Sequence, residues 1–190
     1  MVIAPLTKLD AINEIIGAMG EAPVDTLEDN ENVDVMNALR MLEAGLKEIQ
    51  VNGWTFNTIN DFVLTPDEDT KHILWDNTIL HIQFSEKRIV RKRGDYLYDV
   101  TNNTDQFEAP LTAKVIQYVP FEEMPQVFRQ YITVRVARRF VARYLGDPTI
   151  MQELQQEEAQ AYMQMMEAEI TLEKSNILTN HAVQDYMNRG

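Results

Sequence analysis

The chain has 190 residues, 45% of them hydrophobic, which suits one domain, or a core domain with an elaboration, and is too apolar for a disordered polymer. It has no cysteine, which excludes disulfides and thiolate chemistry. Its 30 acids and 17 bases give a formal net charge of −13, and a surface this acidic repels phosphate and argues against general nucleic-acid binding.

A first helix is expected after Thr7, which stands three residues before Asp10 as in a capping box. Ile12, Ile15, Ile16 and Met19 follow at helical spacing, and Gly20 is placed to end the helix. Residues 21–31 read as an acidic linker around Pro23. From Asn32, the positions Val35, Leu39, Leu42, Leu46 and Ile49 advance by fours and threes. That is the core stripe of a second helix of about 20 residues, roughly 30 Å long. Gly53 closes it.

The middle of the chain changes character. Residues 54–64 carry Trp, Phe, Thr, Ile and Val in partial alternation, which favours a strand. Residues 79–84, 87–93, 96–100 and 111–119 read as further strands, separated by turn chemistry at Gly94-Asp95 and Asn102-Asn103. Together they predict a small antiparallel sheet between residues 54 and 119.

Helix returns after Pro120. Over residues 122–145, Val127, Val134, Ala137, Val141 and Tyr144 make one apolar face, and Arg135, Arg139 and Arg143, four apart, stack on another. Gly146 and Pro148 break the pattern. A last helix over 149–174 turns Ile150, Leu154, Ala161, Met165, Ala168 and Leu172 inward, with Glu153, Glu157, Glu158, Glu167, Glu169 and Glu173 outward. The fold class is therefore α+β: a four-helix bundle of two N-terminal and two C-terminal helices, with an inserted small antiparallel β-sheet lobe. The boundaries are 1–53 and 121–174 for the helical parts, 54–120 for the lobe, and 175–190 for a flexible or partner-ordered tail.

No basic-then-apolar leader opens the chain, and no apolar run approaches the ~18 residues of a membrane span. The expectation is a soluble protein made in a cytoplasm. Chemistry is equally sparse. The three histidines, His72, His81 and His181, do not stand at metal-ligand spacing. Ser85 and Ser175 lack a nucleophile turn, and no Gly-rich loop precedes a helix. Asp95 and Asp99, near Tyr96 and Tyr98, are the best local acid pair, but a Tyr-rich turn and strand reads first as packing. Neither an enzyme nor a bound cofactor or metal is expected.

The bases cluster instead. Lys87, Arg88, Arg91, Lys92 and Arg93 make one run, which suits docking onto an acidic partner, guarding an edge strand, or contacting DNA, in falling order. The stripe Arg135, Arg139 and Arg143 is expected to pair with the acidic fourth helix, within one subunit or across two. Both sets are candidate interface residues. Trp54 and Phe56, just past a helix-ending Gly, are expected to anchor the lobe. Met163, Met165 and Met166 read as core or adaptable interface.

One further signal is an ordered set of phrases: Gly20-Glu21-Ala22-Pro23-Val24, Gly53-Trp54-Thr55-Phe56-Asn57, Gly94-Asp95-Tyr96-Leu97-Tyr98-Asp99, and Phe121-Glu122-Glu123-Met124-Pro125 running on to Phe128-Arg129 and Gly146-Asp147-Pro148. In order and spacing they resemble the tail tubular protein A family of short-tailed bacteriophages, from about Leu9 to about Leu172. The resemblance implies a structural virion protein with no catalytic residues. It implies a dodecameric ring, the adaptor between the portal protein and the tail nozzle protein (tail tubular protein B), which helps tail fibre protein attach. Genomic DNA would pass through its centre as cargo. Twelve copies of −13 would give the ring a charge of about −156, which lets a duplex slide without sticking. Runner-up readings are another ring-forming head-completion protein, a polysaccharide- or peptidoglycan-cleaving tail component, and a scaffolding protein that leaves the particle.

Overall fold

In the computed structural model of the chain, the residues described are 4–28, 31–84 and 88–179. Among them are four α-helices and five β-strands, divided between two compact units, Met1–Ile49 with Pro120–Gly190 and Gln50–Val119. The fold is α+β, with four helices and a small antiparallel β lobe between them in sequence.

The helical unit begins with α1 (Lys8–Gly17). Its start is fixed as the Thr7 and Asp10 spacing requires: the Asp10 N–H donates to the Thr7 hydroxyl, and the Asp10 carboxylate accepts from the Thr7 N–H. Helix α2 (Val33–Gln50) is capped by Asn32, whose Oδ1 accepts from the Asp34 N–H at 2.8 Å. After a 3-10 turn (Phe121–Glu123) come α3 (Gln126–Tyr144) and α4 (Pro148–Thr179), the latter capped by Asp147 Oδ1 at 2.8 Å from the Thr149 N–H.

Helix α3 is the centre of this unit. It packs on α1 and on α4, and Val136 and Ile132 close on α2 at Gly45, where a Cβ would stand 2.9 Å from the Val136 methyl. Consequently α3 is buried almost all round: Phe128, Ile132, Val136 and Phe140 are each 1% exposed or less, and Thr133, Val134, Ala137 and Val141 on other sides are buried too. Burying a large apolar side chain contributes about 1.5–3 kcal/mol, so this row is a main source of the unit's stability.

The β unit holds two sheets. Strands β1 (Thr58–Leu64), β5 (Leu111–Gln117) and β2 (Ile79–Phe84) form one antiparallel sheet with β5 central. Strands β3 (Val90–Arg93) and β4 (Tyr96–Asp99) form a separate hairpin, with Arg91 opposite Tyr98 and Arg93 opposite Tyr96. One core serves both, made of Leu64, Ile73, Ile79, Leu97, Phe107, Ala113 and Val115, with Trp75, Phe84 and Val90 against it.

The ends of this unit are tied together. The Gln50 side chain donates to the Val119 carbonyl at 3.0 Å and accepts from the Val119 N–H at 2.7 Å. Asn57 closes the turn beside it, donating from Nδ2 to the Gln50 and Gln117 carbonyls and accepting from the Trp54 N–H. Gly53 sits at φ 76°, and a Cβ there would fall 2.7 Å from the Ile116 side chain, so neither the backbone nor the space admits another residue.

Several expectations are corrected. Helix α1 stops at Gly17, not at Met19. Residues 54–57 belong to the turn that Asn57 closes, so the first strand starts at Thr58. The single sheet is two sheets, because the β3–β4 hairpin meets the rest through isolated bridges such as Leu74 to Tyr96 instead of a ladder. Tyr144 is 45% and Leu172 45% exposed, while Glu169, expected outward, is 5% exposed. Helix α4 runs on to Thr179, past the expected start of a tail at 175, and the rest of that tail lies outside the described residues.

Candidate functional site

Charged side chains gather in two places, one in each unit. On the helices, Arg135 reaches two acids on two elements: Glu48 of α2 at 2.6 Å and Glu158 of α4 at 3.3 Å. Arg139 takes the other Glu48 oxygen at 2.6 Å, and Arg138 bonds Glu158. A chain of opposite charges thus links α2, α3 and α4. The Arg139 and Arg135 hydrogen bonds hold the Glu48 carboxyl below the usual carboxylate range. Burial pushes Arg135 toward neutrality, but Glu48 and the Tyr131 hydroxyl outweigh it and raise its pKa. Arg143 is exposed and has no ion pair among the described residues. The arginine stripe therefore divides: Arg135 and Arg139 are neutralised within the chain, and Arg143 is not.

Beside this network a cleft of about 420 Å³ opens between α3 and α4, lined by Tyr131, Arg138, Gln155, Glu158, Ala159 and Tyr162. The two tyrosine rings lie 5.5 Å apart. Its one acid, Glu158, is already engaged by two arginines. On the same helix Met163 is 68% exposed and Met165 wholly buried, so the methionine cluster divides between surface and core.

In the β unit the basic run also divides. Lys87 lies outside the described residues. Arg88 pairs at 3.3 Å with Asp99, which is 1% exposed. Burial would push the Asp99 carboxyl up; hydrogen bonds from the Asn102 N–H and side chain, with the Arg88 charge, more than offset this and lower it. Arg88 is thus a structural partner inside the hairpin. Asp99, half of the acid pair weighed for catalysis, is the hairpin's buried anchor, and the Asp95 backbone carbonyl accepts from the Trp75 N–H. Arg91, Lys92 and Arg93 remain exposed along β3. The Arg93 guanidinium lies 4.6 Å from the Tyr98 ring centroid, and Lys92 donates to Asn77 at 2.7 Å.

Trp54 and Phe56 are half-buried within the turn that Asn57 closes. A further basic residue stands in sequence only as part of the Phe128-Arg129 phrase, with no role attached. Arg129 is 8% exposed and donates to three backbone carbonyls, of Met124, Leu6 and Glu122, binding the 3-10 turn and the N-terminal segment to α3. Its clue was position: it stands in the first turn of α3, just past the 3-10 turn whose last carbonyls have no helical donor. His72 stacks on Tyr96 and lies 3.6 Å from Asp105, and no group of three or more potential metal ligands occurs among the described residues. Among the described residues no helix is long and apolar enough to cross a membrane.

A helical unit knit by internal ion pairs, with a β unit that presents an exposed cationic strand, does not by itself fix the kind of protein. The comparisons with known proteins say which kind. A family model described as Tail tubular protein matches residues 9–175, and the chain belongs to that family of structural phage-tail proteins. It is similar to "Tail tubular protein A" of Klebsiella phage KP34, 23% identical over 121 residues, which are 64% of this chain and 64% of that protein. The match therefore spans somewhat less than two thirds of that relative's length.

Proposed function

We propose that the chain is a ring-forming tail adaptor. About twelve copies join the portal vertex of a phage capsid to the tail nozzle protein, the assembled ring helps tail fibre protein attach, and the genome passes through its centre. The observation that carries this reading is the family match across residues 9–175, which takes in both the helical unit and the β unit. Charge supports it. A net charge of −13 on each copy makes a channel wall that repels passing phosphate, while Arg91, Lys92 and Arg93 stay exposed where a protein can meet them. On this reading the protein resides in the virion and is not an enzyme.

The test is native mass spectrometry of the purified chain, alone and mixed with the portal ring of its own phage. Saturable uptake of about twelve copies per portal is the expected result. A compact monomer in both samples at every mixing ratio would remove the adaptor reading.

A further inference from the structure

We propose that strand β3 of one copy docks against the flank of α4 on a second copy, Arg91 and Arg93 meeting Glu153 and Glu157. The inference rests on the ring-forming reading above and names the surfaces that would make the ring.

Strand β3 is the outer strand of a two-stranded sheet, and β4 is its only ladder partner among the described residues. Arg91, Lys92 and Arg93 are all exposed along it, and none has a carboxylate partner among the described residues. By contrast, Arg88 in the same unit, and Arg135, Arg138 and Arg139 in the helical unit, each find an acid within the chain. In a protein of net charge −13, three adjoining cations left unneutralised point to an acid from elsewhere. Tyr98 holds the Arg93 guanidinium in place at 4.6 Å, which lowers the entropy lost on docking.

Helix α4 offers the complement. Glu153 and Glu157 are exposed and have no cationic partner among the described residues. Glu157 also crowds Glu14 of α1. The Glu14 carboxyl is raised first by lost hydration and then by the Glu157 charge, with a bond from Gln130 of α3 opposing. An incoming cation would relieve that repulsion. The spacings agree as well. Arg91 and Arg93, two apart on a strand, share one face about 6.6–6.8 Å apart. Glu153 and Glu157, four apart on a helix, stand about 6 Å apart. Two parallel ion pairs therefore fit without distorting either element.

The contact is heterologous, strand face to helix face. Each copy carries both faces, so the contact repeats from copy to copy and closes a ring when the rotation per step allows.

The test compares the unmodified full chain with two surface variants by sedimentation velocity, alone and on the portal ring. One carries Arg91→Glu and Arg93→Glu, the other Glu153→Lys and Glu157→Lys. Each is expected to self-associate on the order of 100-fold more weakly, because like charges then face each other. Mixed one to one, the variants should assemble again in alternation, since the unmodified helix face of the first meets the unmodified strand face of the second and the two reversed faces are complementary as well. A chain carrying all four substitutions should assemble again, which separates a lost contact from a lost fold. Either variant assembling like the unmodified chain, a mixture that stays monomeric, or no recovery in the four-fold variant would overturn the inference. An unmodified chain that stays monomeric even on the portal would overturn the ring-forming reading, and this contact with it.

Discussion

Asp99 is 1% exposed, yet its carboxyl is held below its ordinary value, so it is charged at neutral pH in a place that disfavours charge. What stabilises it is local: the Asn102 N–H at 3.0 Å, the Asn102 amide at 2.8 Å, and Arg88 at 3.3 Å. A depressed carboxylate contributes stability that is fully present above its unfolded value near 3.9 and is lost as pH falls through that value toward the folded one. Asp99→Asn keeps an acceptor for the Asn102 N–H but removes the charge. We expect a loss of about 1–2 kcal/mol at pH 7 and a flatter decline of stability below about pH 4. Both tryptophans, Trp54 and Trp75, fall in the β unit, so fluorescence during urea unfolding reads that unit selectively. An unchanged midpoint at pH 7 would show that Asp99 is not the hairpin's anchor.

At the scale of elements, the same substitution should act with opposite sign on two helices. Gly17, at the end of α1, has nothing within 4 Å of a built Cβ, so Gly17→Ala gains helix propensity and up to about 0.5–1 kcal/mol. Gly45 is where α2 meets α3, and a Cβ there lands 2.9 Å from the Val136 methyl. Valine is stiff at χ1 and sits in a packed row, so overpacking of about 1–3 kcal/mol outweighs the propensity gain. Thermal melts by far-UV circular dichroism should rise for the first variant and fall for the second; a rise for both would mean that α2 and α3 are less closely packed at Gly45. The two glycines also mark what a sequence reveals. The Thr7 cap, the stripe Val35, Leu42, Leu46 and Ile49, and the strand at 79–84 were legible because each is a local pattern. The inner row Phe128, Ile132, Val136 and Phe140 was passed over, since a helix buried all round has no single apolar face to find. The pairing of Arg135 with Glu48 was hidden because the two lie 87 positions apart, beyond any periodicity. The division of the strands into two sheets was hidden likewise, because it depends on which distant strand β5 accepts. Of the basic run, sequence showed the cluster but not that Arg88 turns inward to a buried acid while Arg91 and Arg93 stay out.

For the whole molecule, net charge and local charge oppose each other in assembly. Copies of −13 repel at long range, whereas the proposed strand-to-helix contact attracts over a few ångströms. Salt acts on these unequally. At about 0.01 M the Debye length is ~30 Å and repulsion between whole copies is felt before any contact forms. Near 0.1–0.15 M it shrinks to about 8–10 Å, which screens much of the repulsion and leaves a close ion pair largely intact. At about 1 M it is ~3 Å, and exposed pairs, each contributing only about 0.2–1 kcal/mol, are screened as well. Self-association should therefore peak at intermediate ionic strength, while the apolar cores of both units keep each copy folded throughout. Sedimentation velocity across that salt range, with circular dichroism on the same samples, checks both halves. A steady rise in association up to about 1 M would instead mark an apolar interface, since high salt leaves apolar burial intact while screening charge of either sign. In that case exposed apolar groups on α4, Met163 at 68% and Tyr162 at 43% exposure, would be the surface to mutate in place of Arg91 and Arg93.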